Sequence, residues 1–373
     1  MPVEGAIRQR LDCRFRWSDD WSVLSVGEAV EMVLKQISPL PAEEAPLLGA
    51  CGRVLAEDVR AGRSVPPFPN SAMDGYAVRW QDVAEVSIDH PVTLRVVEEA
   101  PAGYVPRARV RENTAIKIMT GAPVPRGADT IVRVEHTESD GDHVRINRAD
   151  GPGSHIRQAG EDIERGQTIL EKGKFLTPAD IGLMASVGKS RVRVYRRPTV
   201  ALFSTGDELV EVEDRPRPGK IVNSNSYTLS AWIREAGAVP LRFGIVRDRR
   251  RTLAAAFKKA LRYDVVMTTG GVSVGDYDFV KEALGDAGVQ MQFWKVAQKP
   301  GHPLAFGCIG KKPVFGLPGN PVSSAVSFLL YARPALLKMM GYRNLFLPVV
   351  HARLEHPIKT SPGVTDFIRC RIR

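Results

Sequence analysis

Two stretches in the first part of the chain have the apolar spacing of amphipathic helices. The first begins after Ser25, which has the spacing of a capping box with Glu28, and it ends before Pro39. The second begins at Pro178, with Thr177 as the predicted N-cap. Its predicted apolar face consists of Ile181, Met184, Ala185 and Val187.

The chain between these helices is β-rich from about residue 67 to residue 150. Short runs of β-branched and apolar residues alternate there with Gly, Pro and Asp-Gly turns. The clearest predicted strands are 92–97, 115–119, 130–135 and 143–146. We expect this segment to form a separate β-rich domain.

From residue 199 onward, short apolar strands alternate with helical patterns. Strands are predicted at 200–203, 239–246, 265–267 and 314–315, and helices near 226–236, 252–261 and 279–285. This alternation predicts a mostly parallel sheet with helices on both faces, which is a three-layer α/β domain. Ligands of such sheets bind beyond the carboxyl ends of the strands.

Length and composition indicate a globular protein of two to four domains. The chain has 373 residues, of which 43% are hydrophobic and 25% charged. No run of 18 apolar residues suggests a membrane span, and the charged first twenty residues predict no signal peptide. The four cysteines lack zinc spacing, so we expect reduced thiols in a cytoplasmic protein: Cys13, Cys51, Cys308 and Cys370.

The net charge of +10 favours an anionic partner. No RNP sequence, zinc finger or basic leucine-zipper region is present, and the basic residues are scattered. A phosphorylated small molecule is therefore a better prediction than nucleic acid.

The most informative motif is the run Pro-Pro-Phe-Pro-Asn-Ser-Ala-Met-Asp-Gly-Tyr-Ala at residues 66–77. Its prolines predict a rigid, non-helical loop, and Gly75 allows a sharp turn beside Asp74. Such a loop can present the Asp74 carboxylate to a metal, an ammonium group or a polar ligand. A turn with a purely structural role explains the same residues equally well.

A glycine-containing junction follows the predicted strand at 265–267. Gly270 and Gly271 would let backbone N–H groups converge on an anion, and Ser273 would add a hydroxyl donor. The spacing matches neither a dinucleotide-binding fingerprint nor a P-loop. The alternative is an ordinary strand-to-helix turn.

A second junction occupies residues 317–323. Asn320 is the predicted N-cap and Pro321 the first residue of a helix that runs toward Met339. Free N–H groups in its first turn, together with Ser323, predict an oxyanion site. Helix capping without a ligand is the alternative.

Lys295 and Lys299 are candidates for charge stabilisation. They follow an apolar Phe-Trp pair and precede the rigid turn at Pro300, which favours a fixed placement over freely solvated charges. Asp248 closes a predicted strand, and Asp278 follows the first glycine junction. Two carboxylates near a phosphate indicate Mg²⁺, whereas helix capping is the alternative role for each acid.

An ordered series of motifs resembles the molybdopterin molybdenumtransferase family, which includes the gephyrin E domain. The resemblance runs from about residue 24 to residue 369. Its motifs are Asn-Ser-Ala-Met-Asp-Gly-Tyr-Ala at 70–77, Ile-Met-Thr-Gly-Ala-Pro-Val-Pro at 118–125, Gly-Glu-Asp-Ile at 160–163, Phe-Ser-Thr-Gly-Asp-Glu-Leu at 203–209, Thr-Gly-Gly-Val-Ser-Val-Gly at 269–275, Lys-Val-Ala-Gln-Lys-Pro-Gly at 295–301 and Gly-Leu-Pro-Gly-Asn-Pro-Val-Ser at 316–323.

The resemblance implies a reaction: Mg²⁺-dependent cleavage of adenylylated molybdopterin, with insertion of molybdate into the dithiolene and release of AMP. It implies catalytic roles for Asp74, Asp248, Asp278, Lys295 and Lys299, with Asp248 and Asp278 as the metal ligands. The implied substrate-binding residues are Thr120, Asp162, Thr205, Glu208, Gly270, Gly271, Ser273, Pro300, Pro318, Gly319, Pro321, Ser323 and Arg369. His302 departs from the family, which often has Lys or Arg there, so a weaker or pH-dependent anion contact is expected.

The resemblance also implies an α/β multidomain fold. Its parts would be an elongated N-terminal domain of mixed helices and strands (1–65 with 151–197), a β-rich inserted domain (66–150), the α/β molybdopterin-binding domain (198–346) and the opening strands of a truncated C-terminal β-barrel (347–373). Homologous enzymes are dimers, so Asp74 and Thr120 are expected to enter the cleft from the second subunit. The adenylyltransferase of the same pathway is a further expected partner.

Two other functions remain open. A related adenylyltransferase shares the α/β domain, but it is disfavoured because of the 70–77 loop and the β-rich insertion. A non-enzymatic scaffold, as the gephyrin E domain also is, is disfavoured because no separate interaction module or long linker is evident.

Overall fold

A computed structural model describes residues 23–271 and 279–371. The chain divides into two compact units. The α/β unit comprises Met1–Pro41 and Tyr195–Arg373, and the β-rich unit comprises Ala42–Val194. Within the described ranges, no helix combines the length and the apolar character of a membrane span.

The α/β unit begins with helix α1 (Val26–Gln36), whose predicted capping box is confirmed. The Ser25 N–H donates to Glu28 Oε2 at 2.8 Å, and the Glu28 N–H donates to Ser25 Oγ at 3.3 Å. Ala29 and Val33 are buried on one face of the helix.

The β-rich unit contains one large sheet and several two-stranded pairs. The strands of the whole unit are β1 (Ala42–Pro46), β2 (Val59–Arg60), β3 (Asn70–Ser71), β4 (Gly75–Val78), β5 (Val92–Ala100), β6 (Thr114–Ile118), β7 (Thr130–Arg133), β8 (Thr137–Asp140), β9 (His143–Ile146), β10 (Ile156–Arg157), β11 (Thr168–Leu170) and β12 (Arg191–Tyr195), with helices α2 (Trp80–Val83) and α3 (Pro178–Ser186). Among the described residues, the order β7-β4-β6-β5-β9-β8 forms a six-stranded sheet, antiparallel except between β5 and β6. The four predicted strands are present, and the one predicted at 130–135 ends early because a 3₁₀ turn begins at Val134.

Helix α3 has the predicted cap and most of the predicted apolar face. The Asp180 N–H donates to Thr177 Oγ1, and the Asp180 carboxylate accepts from the Thr177 N–H. Ile181, Met184 and Val187 are buried, but Ala185 is exposed, so its assignment to this face was wrong. The buried stripe is centred near Met184, and Ala185 lies about 100° around the helix from it.

The α/β unit contains, among its described residues, the second large sheet and two further strand pairs. The strands of the whole unit are β13 (Thr199–Thr205), β14 (Leu209–Val210), β15 (Ile221–Val222), β16 (Val239–Val246), β17 (Val265–Thr269), β18 (Gln290–Lys295), β19 (Gln298–Lys299), β20 (Pro303–Ile309), β21 (Lys312–Leu317) and β22 (Thr365–Asp366), where β14 pairs with β15 and β19 with β22. Its further helices are α4 (Ser224–Glu235), α5 (Arg250–Ala260), α6 (Phe279–Asp286), α7 (Pro321–Ser327) and α8 (Arg333–Met339), with a π-helical turn (Phe328–Ala332) joining the last two.

In the described chain, this sheet has the order β16-β13-β17-β21-β20-β18. The pairings from β16 to β21 are parallel, and the two that involve β20 are antiparallel. Apolar residues of α1, α4 and α8 pack in one core cluster, and those of α5 and α6 pack in another. This is the multidomain α/β organisation that the sequence predicts. The predicted finer domain boundaries and the C-terminal barrel stay predictions; the described residues after Tyr342 contain one short strand, β22.

Candidate active site

A cavity of about 320 Å³ lies at the carboxyl ends of β13 and β17. Five of the predicted site residues line it, namely Thr205, Glu208, Gly270, Gly319 and Pro321. The other lining residues are Ser204, Leu209, Ile221, Val222, Asn223, Ser224, Asn225, Thr269 and Asn320. Parallel sheets bind ligands at this edge, so the location agrees with the expectation from strand order.

Gly270 and Gly271 allow the ends of neighbouring strands to approach closely. A Cβ at Gly270 would lie 2.3 Å from the Thr205 carbonyl oxygen, and a Cβ at Gly271 would lie 2.5 Å from Val280 Cγ2. Both residues have positive φ, +90° and +65°. The Gly270 N–H donates to the Leu317 carbonyl at 3.1 Å, so this amide is used within the sheet edge.

Asn225, which the sequence analysis did not single out, joins the two glycine junctions. Its Nδ2 donates to Thr269 Oγ1 at 2.9 Å and to the Gly319 carbonyl at 2.7 Å. Thr269 Oγ1 in turn donates to the Pro318 carbonyl at 3.1 Å. The available signal was the Asn-Ser-Asn run at 223–225, directly after a short apolar strand.

Asn223 is a second polar residue that the sequence analysis missed. It is 1% exposed, and its Oδ1 accepts a hydrogen bond from Ser204 Oγ at 2.7 Å. Its Nδ2 has no hydrogen-bond partner among the described residues. A buried amide donor without a partner is costly, so this atom is a candidate for ligand recognition.

The predicted oxyanion site at the start of α7 stays a prediction, but the first-turn amides are not free as that prediction assumed. Asn320 caps the helix, with Oδ1 accepting from the N–H groups of Val322 at 3.0 Å and Ser323 at 3.2 Å. The Ser324 N–H donates to the Asn320 carbonyl at 2.9 Å, and Pro321 has no N–H. The first-turn amides are therefore occupied, and helix capping explains the Asn-Pro pair.

Asp248 lies just after β16 and accepts a hydrogen bond from the Thr205 hydroxyl. Among the described residues, no group of three or more His, Cys, Asp or Glu side chains could hold a metal ion. Mg²⁺ needs only one or two protein carboxylates when a substrate phosphate completes its shell, so Asp248 fits as one ligand. Ser273 and Asp278 lie outside the described residues.

Lys295 and Lys299 belong to one segment at the edge of the α/β unit, residues 295–301, here called the lysine turn. Lys295 ends β18 and is half-buried, whereas Lys299 lies in β19 and is exposed. Neither ammonium forms an ion pair with another described residue. The His302 Nδ1 donates to the Val296 carbonyl at 2.8 Å, so this nitrogen braces the turn instead of contacting an anion.

The segment that carries Arg369 runs beside the lysine turn. Strand β22 pairs in parallel with β19, and this places Asp366 in register with Lys299. The Thr365 N–H donates to Ala297 O at 2.9 Å, and the Phe367 N–H donates to Lys299 O at 2.7 Å. Arg369 itself is exposed.

In the β-rich unit, Asp74 and Thr120 are in contact. Asp74 Oδ1 accepts from the Thr120 N–H at 2.7 Å and from Thr120 Oγ1 at 2.8 Å. The bond from the backbone N–H, followed by the one from the hydroxyl, holds the pKa of Asp74 below its usual value. Asp162 forms an ion pair with Arg157, and both side chains are partly exposed.

Comparisons with known proteins decide the family. Residues 24–188 match the MoeA N-terminal region (domain I and II), and residues 201–338 match a probable molybdopterin binding domain. The chain is 40% identical to molybdopterin molybdenumtransferase 2 of Mycobacterium tuberculosis, over 92% of this chain and 87% of the relative. The chain belongs to the molybdopterin molybdenumtransferase family.

Further relatives of this family agree. A molybdopterin molybdenumtransferase of Nostoc sp. is 39% identical over 91% of this chain and 80% of its own length. A crystal structure of the molybdopterin biosynthesis MoeA protein from Pyrococcus horikoshii superposes with a TM-score of 0.76 at 34% identity, covering 87% of this chain and 81% of that one. This family membership confirms the resemblance drawn from the motifs.

The site residues implied by the family fall in both units of the chain. Asp74, Thr120 and Asp162 belong to the β-rich unit, and the other described candidates belong to the α/β unit. Four of the seven motifs lie in the α/β unit, and residues of three of them line the cavity; the fourth, at 295–301, lies outside the lining. The roles of the individual residues stay predictions.

Proposed function

We propose that this molybdopterin molybdenumtransferase family member transfers molybdenum from molybdate to the dithiolene of adenylylated molybdopterin and releases AMP. The observation that carries the proposal is the cavity between the two glycine junctions, which Asn225 holds together. It lies within residues 201–338, which match a molybdopterin binding domain. The names of the curated relatives support the same activity.

The lining of the cavity supports binding of a polar heterocycle. A pterin has hydrogen-bond donors and acceptors along one edge, and the cavity offers the exposed Glu208 carboxylate and the unpartnered Asn223 amide. Its volume of about 320 Å³ lies at the small end of the usual range for ligand pockets. Thr205, Gly270, Gly271, Gly319 and Pro321 would shape the walls around the ring.

The lysine turn would supply positive charge to the anions. Lys295 and Lys299 would hold molybdate and the phosphate released on cleavage, because their ammonium groups form no ion pair with another described residue and can pair with oxyanions. Ser323 and Arg369 would contribute further polar contacts. Pro300 and Pro318 would keep the backbone of the two turns rigid.

Asp248 and Asp278 would hold Mg²⁺, which supplies charge neutralisation at the phosphoanhydride. Water cleaves that bond to give AMP and molybdopterin. The two dithiolene thiols bond molybdenum and give up their two protons to one oxide of molybdate, which leaves as water. The protein contributes positioning and electrostatics and forms no covalent intermediate. Thr205 orients the Asp248 carboxylate through its hydroxyl.

Asp74, Thr120 and Asp162 would complete the site from the second subunit of a homodimer. The Asp74 carboxylate is exposed and is oriented by Thr120, which suits a group that contacts a ligand beyond its own unit. The adenylylated substrate would come from a separate adenylyltransferase. A cytoplasmic location also stays a prediction.

Incubation of the purified protein separates this function from its alternatives. With adenylylated molybdopterin, molybdate and Mg²⁺, we expect AMP release and molybdenum-loaded product, both abolished by EDTA and restored by Mg²⁺. ATP-dependent adenylylation of molybdopterin would instead indicate the adenylyltransferase. If neither reaction occurs, the protein is a scaffold.

A further inference from the structure

A buried polar pair, Gln298 and Tyr331, connects the lysine turn to the helical segment behind it. Both residues are 1% exposed. The Tyr331 hydroxyl donates to Gln298 Oε1 at 2.5 Å. Gln298 Nε2 donates to the Gly301 carbonyl at 3.0 Å and to the Pro300 carbonyl at 3.3 Å. The Gln298 amide is therefore hydrogen-bonded on both sides, to the helical segment and to the turn.

The turn packs directly on this amide. Gly301 has a φ of +95°, and a Cβ there would lie 2.7 Å from Gln298 Nε2 and 3.1 Å from Ser327 Oγ. Any larger residue would displace either the amide or the turn. The position of the backbone next to Lys299 thus depends on where the Gln298 side chain is held.

Pro334 explains why Tyr331 lies in a π-helical turn. A proline inside a helix lacks the N–H donor, and its ring crowds the carbonyl four residues earlier, here that of Leu330. The helix widens at Phe328–Ala332 and resumes as α8 at Arg333–Met339. Such π turns frequently occur at functional sites, and this one contains the residue that bonds Gln298.

Apolar residues surround the pair. Tyr331 packs in a core cluster with Phe293, Val296 and Phe328, all buried. Burial raises the pKa of Tyr331, so the hydroxyl stays protonated and donates. Two apolar side chains of similar shape would fill this space at little cost, so the polar pair does not serve burial alone.

We infer that Gln298 and Tyr331 are positioning residues that fix the turn formed by Lys299, Pro300 and Gly301, and through it the Lys299 ammonium. Neither side chain contacts substrate. The inference rests on the proposed function for the role of Lys299. A lysine displaced by about 1 Å loses much of its effect on a transition state, up to about 100-fold in rate.

Three variants test this inference. Gln298→Met keeps the approximate volume but removes both donors to the turn, and Tyr331→Phe removes only the hydroxyl. The double variant also removes the hydroxyl that Gln298→Met leaves unpaired, so its stability is expected to exceed that of Gln298→Met; the Pro300 and Gly301 carbonyls lose the Gln298 donor in both variants. Gln290→Met, an exposed position on β18, is the matched control.

We expect kcat for AMP release to fall about 10- to 100-fold in Gln298→Met and in the double variant, with KM for adenylylated molybdopterin within about twofold. Tyr331→Phe alone is expected to lose only a few-fold in kcat, since the donors to the turn remain. If activity returns together with stability in the double variant, the pair is merely structural and the inference is overturned.

Binding of molybdate alone, measured by calorimetry, separates this inference from the proposed function. We expect both the double variant and Lys299→Ala to bind molybdate at least about tenfold more weakly than the wild type. If the double variant binds molybdate more weakly but the wild type releases no AMP, the proposed function is contradicted and the positioning role of the pair is supported. Unchanged molybdate binding in the double variant would overturn the positioning role, whatever the turnover.

Discussion

Asp74 and Thr120 lie 46 residues apart in the sequence and share two hydrogen bonds. Thr120 supplies both its backbone N–H and its hydroxyl to the same carboxylate oxygen, Oδ1. Both bonds leave Asp74 Oδ2 without a hydrogen bond from another described residue. Gly75 makes this arrangement possible, since a Cβ there would lie 2.0 Å from the Val132 carbonyl oxygen.

Asp74→Asn is expected to reduce AMP release about 100-fold or more while the protein stays folded. The amide keeps an acceptor oxygen for Thr120 but loses the negative charge that the proposed reaction needs. Turnover, melting temperature and binding of adenylylated molybdopterin are measured together. Asp89→Asn, exposed in the same unit, is the control. If Asp74→Asn turns over as fast as the wild type, the loop at residues 66–77 has only a structural role.

Mixing two inactive variants tests whether the site is shared between subunits. If Asp74 acts on the α/β unit of a partner, heterodimers of Asp74→Asn with Lys299→Ala contain one intact site. Random mixing is then expected to restore about a quarter of wild-type activity. Activity that stays at the level of the separate variants would contradict a shared site, provided that co-purification of differently tagged variants shows mixed dimers.

Gly270→Ala is expected to lower the free energy of unfolding by about 3 kcal/mol or to prevent folding. The new Cβ would meet the Thr205 carbonyl at 2.3 Å, in a backbone conformation with φ of +90°. Gly219→Ala is the matched control, because Gly219 has a φ of +80° with no atom within 4 Å. In denaturant unfolding, the control should lose about 1 kcal/mol of its free energy of unfolding. Equal losses in both variants would contradict the close approach at Gly270.

Asp264 should make stability depend on pH between about 4 and 2. Burial alone would raise its pKa, but hydrogen bonds from Arg196 and Thr199 outweigh it and hold the pKa at about 2. A lowered pKa contributes stability above the unfolded value near 3.8, and this contribution is lost as pH falls through about 2.

Asp264→Asn is therefore expected to lose about 1–2 kcal/mol at pH 7, after allowance for solvent screening. The difference from the wild type should shrink as the pH falls from 4 toward 2. Asp286→Asn, which breaks an exposed pair with Arg250, should cost about 0.5 kcal/mol or less. The free energy of unfolding of each variant is measured with denaturant between pH 7 and pH 2. If the loss in Asp264→Asn stays constant with pH, the lowered pKa of Asp264 does not contribute to stability.

Local sequence signals predicted a large part of the fold. The caps at Ser25, Thr177 and Asn320 were correct because a cap depends on residues within three or four positions of one another. The strands β13 and β17 were predicted because both of their faces are buried, which gives continuous apolar runs.

Features that depend on distant residues were missed. Strands β18 and β20 were not predicted; they pair antiparallel with each other, and β18 lies at the sheet edge. The contact between Gln298 and Tyr331 joins residues 33 positions apart. Pro334 indicates a distorted helix, but it does not indicate which residue Tyr331 contacts. The first-turn amides of α7 were expected to be free, but those of Val322 and Ser323 donate to the Asn320 side chain.

The most direct test of the proposed function is the stoichiometry of a single turnover. Excess purified protein is mixed with adenylylated molybdopterin and Mg²⁺, with and without molybdate, and AMP and product-bound molybdenum are counted. We predict that AMP release increases with molybdate concentration to saturation, with one molybdenum bound per AMP released. No AMP release, or AMP release without molybdenum in the product, would contradict the proposed function.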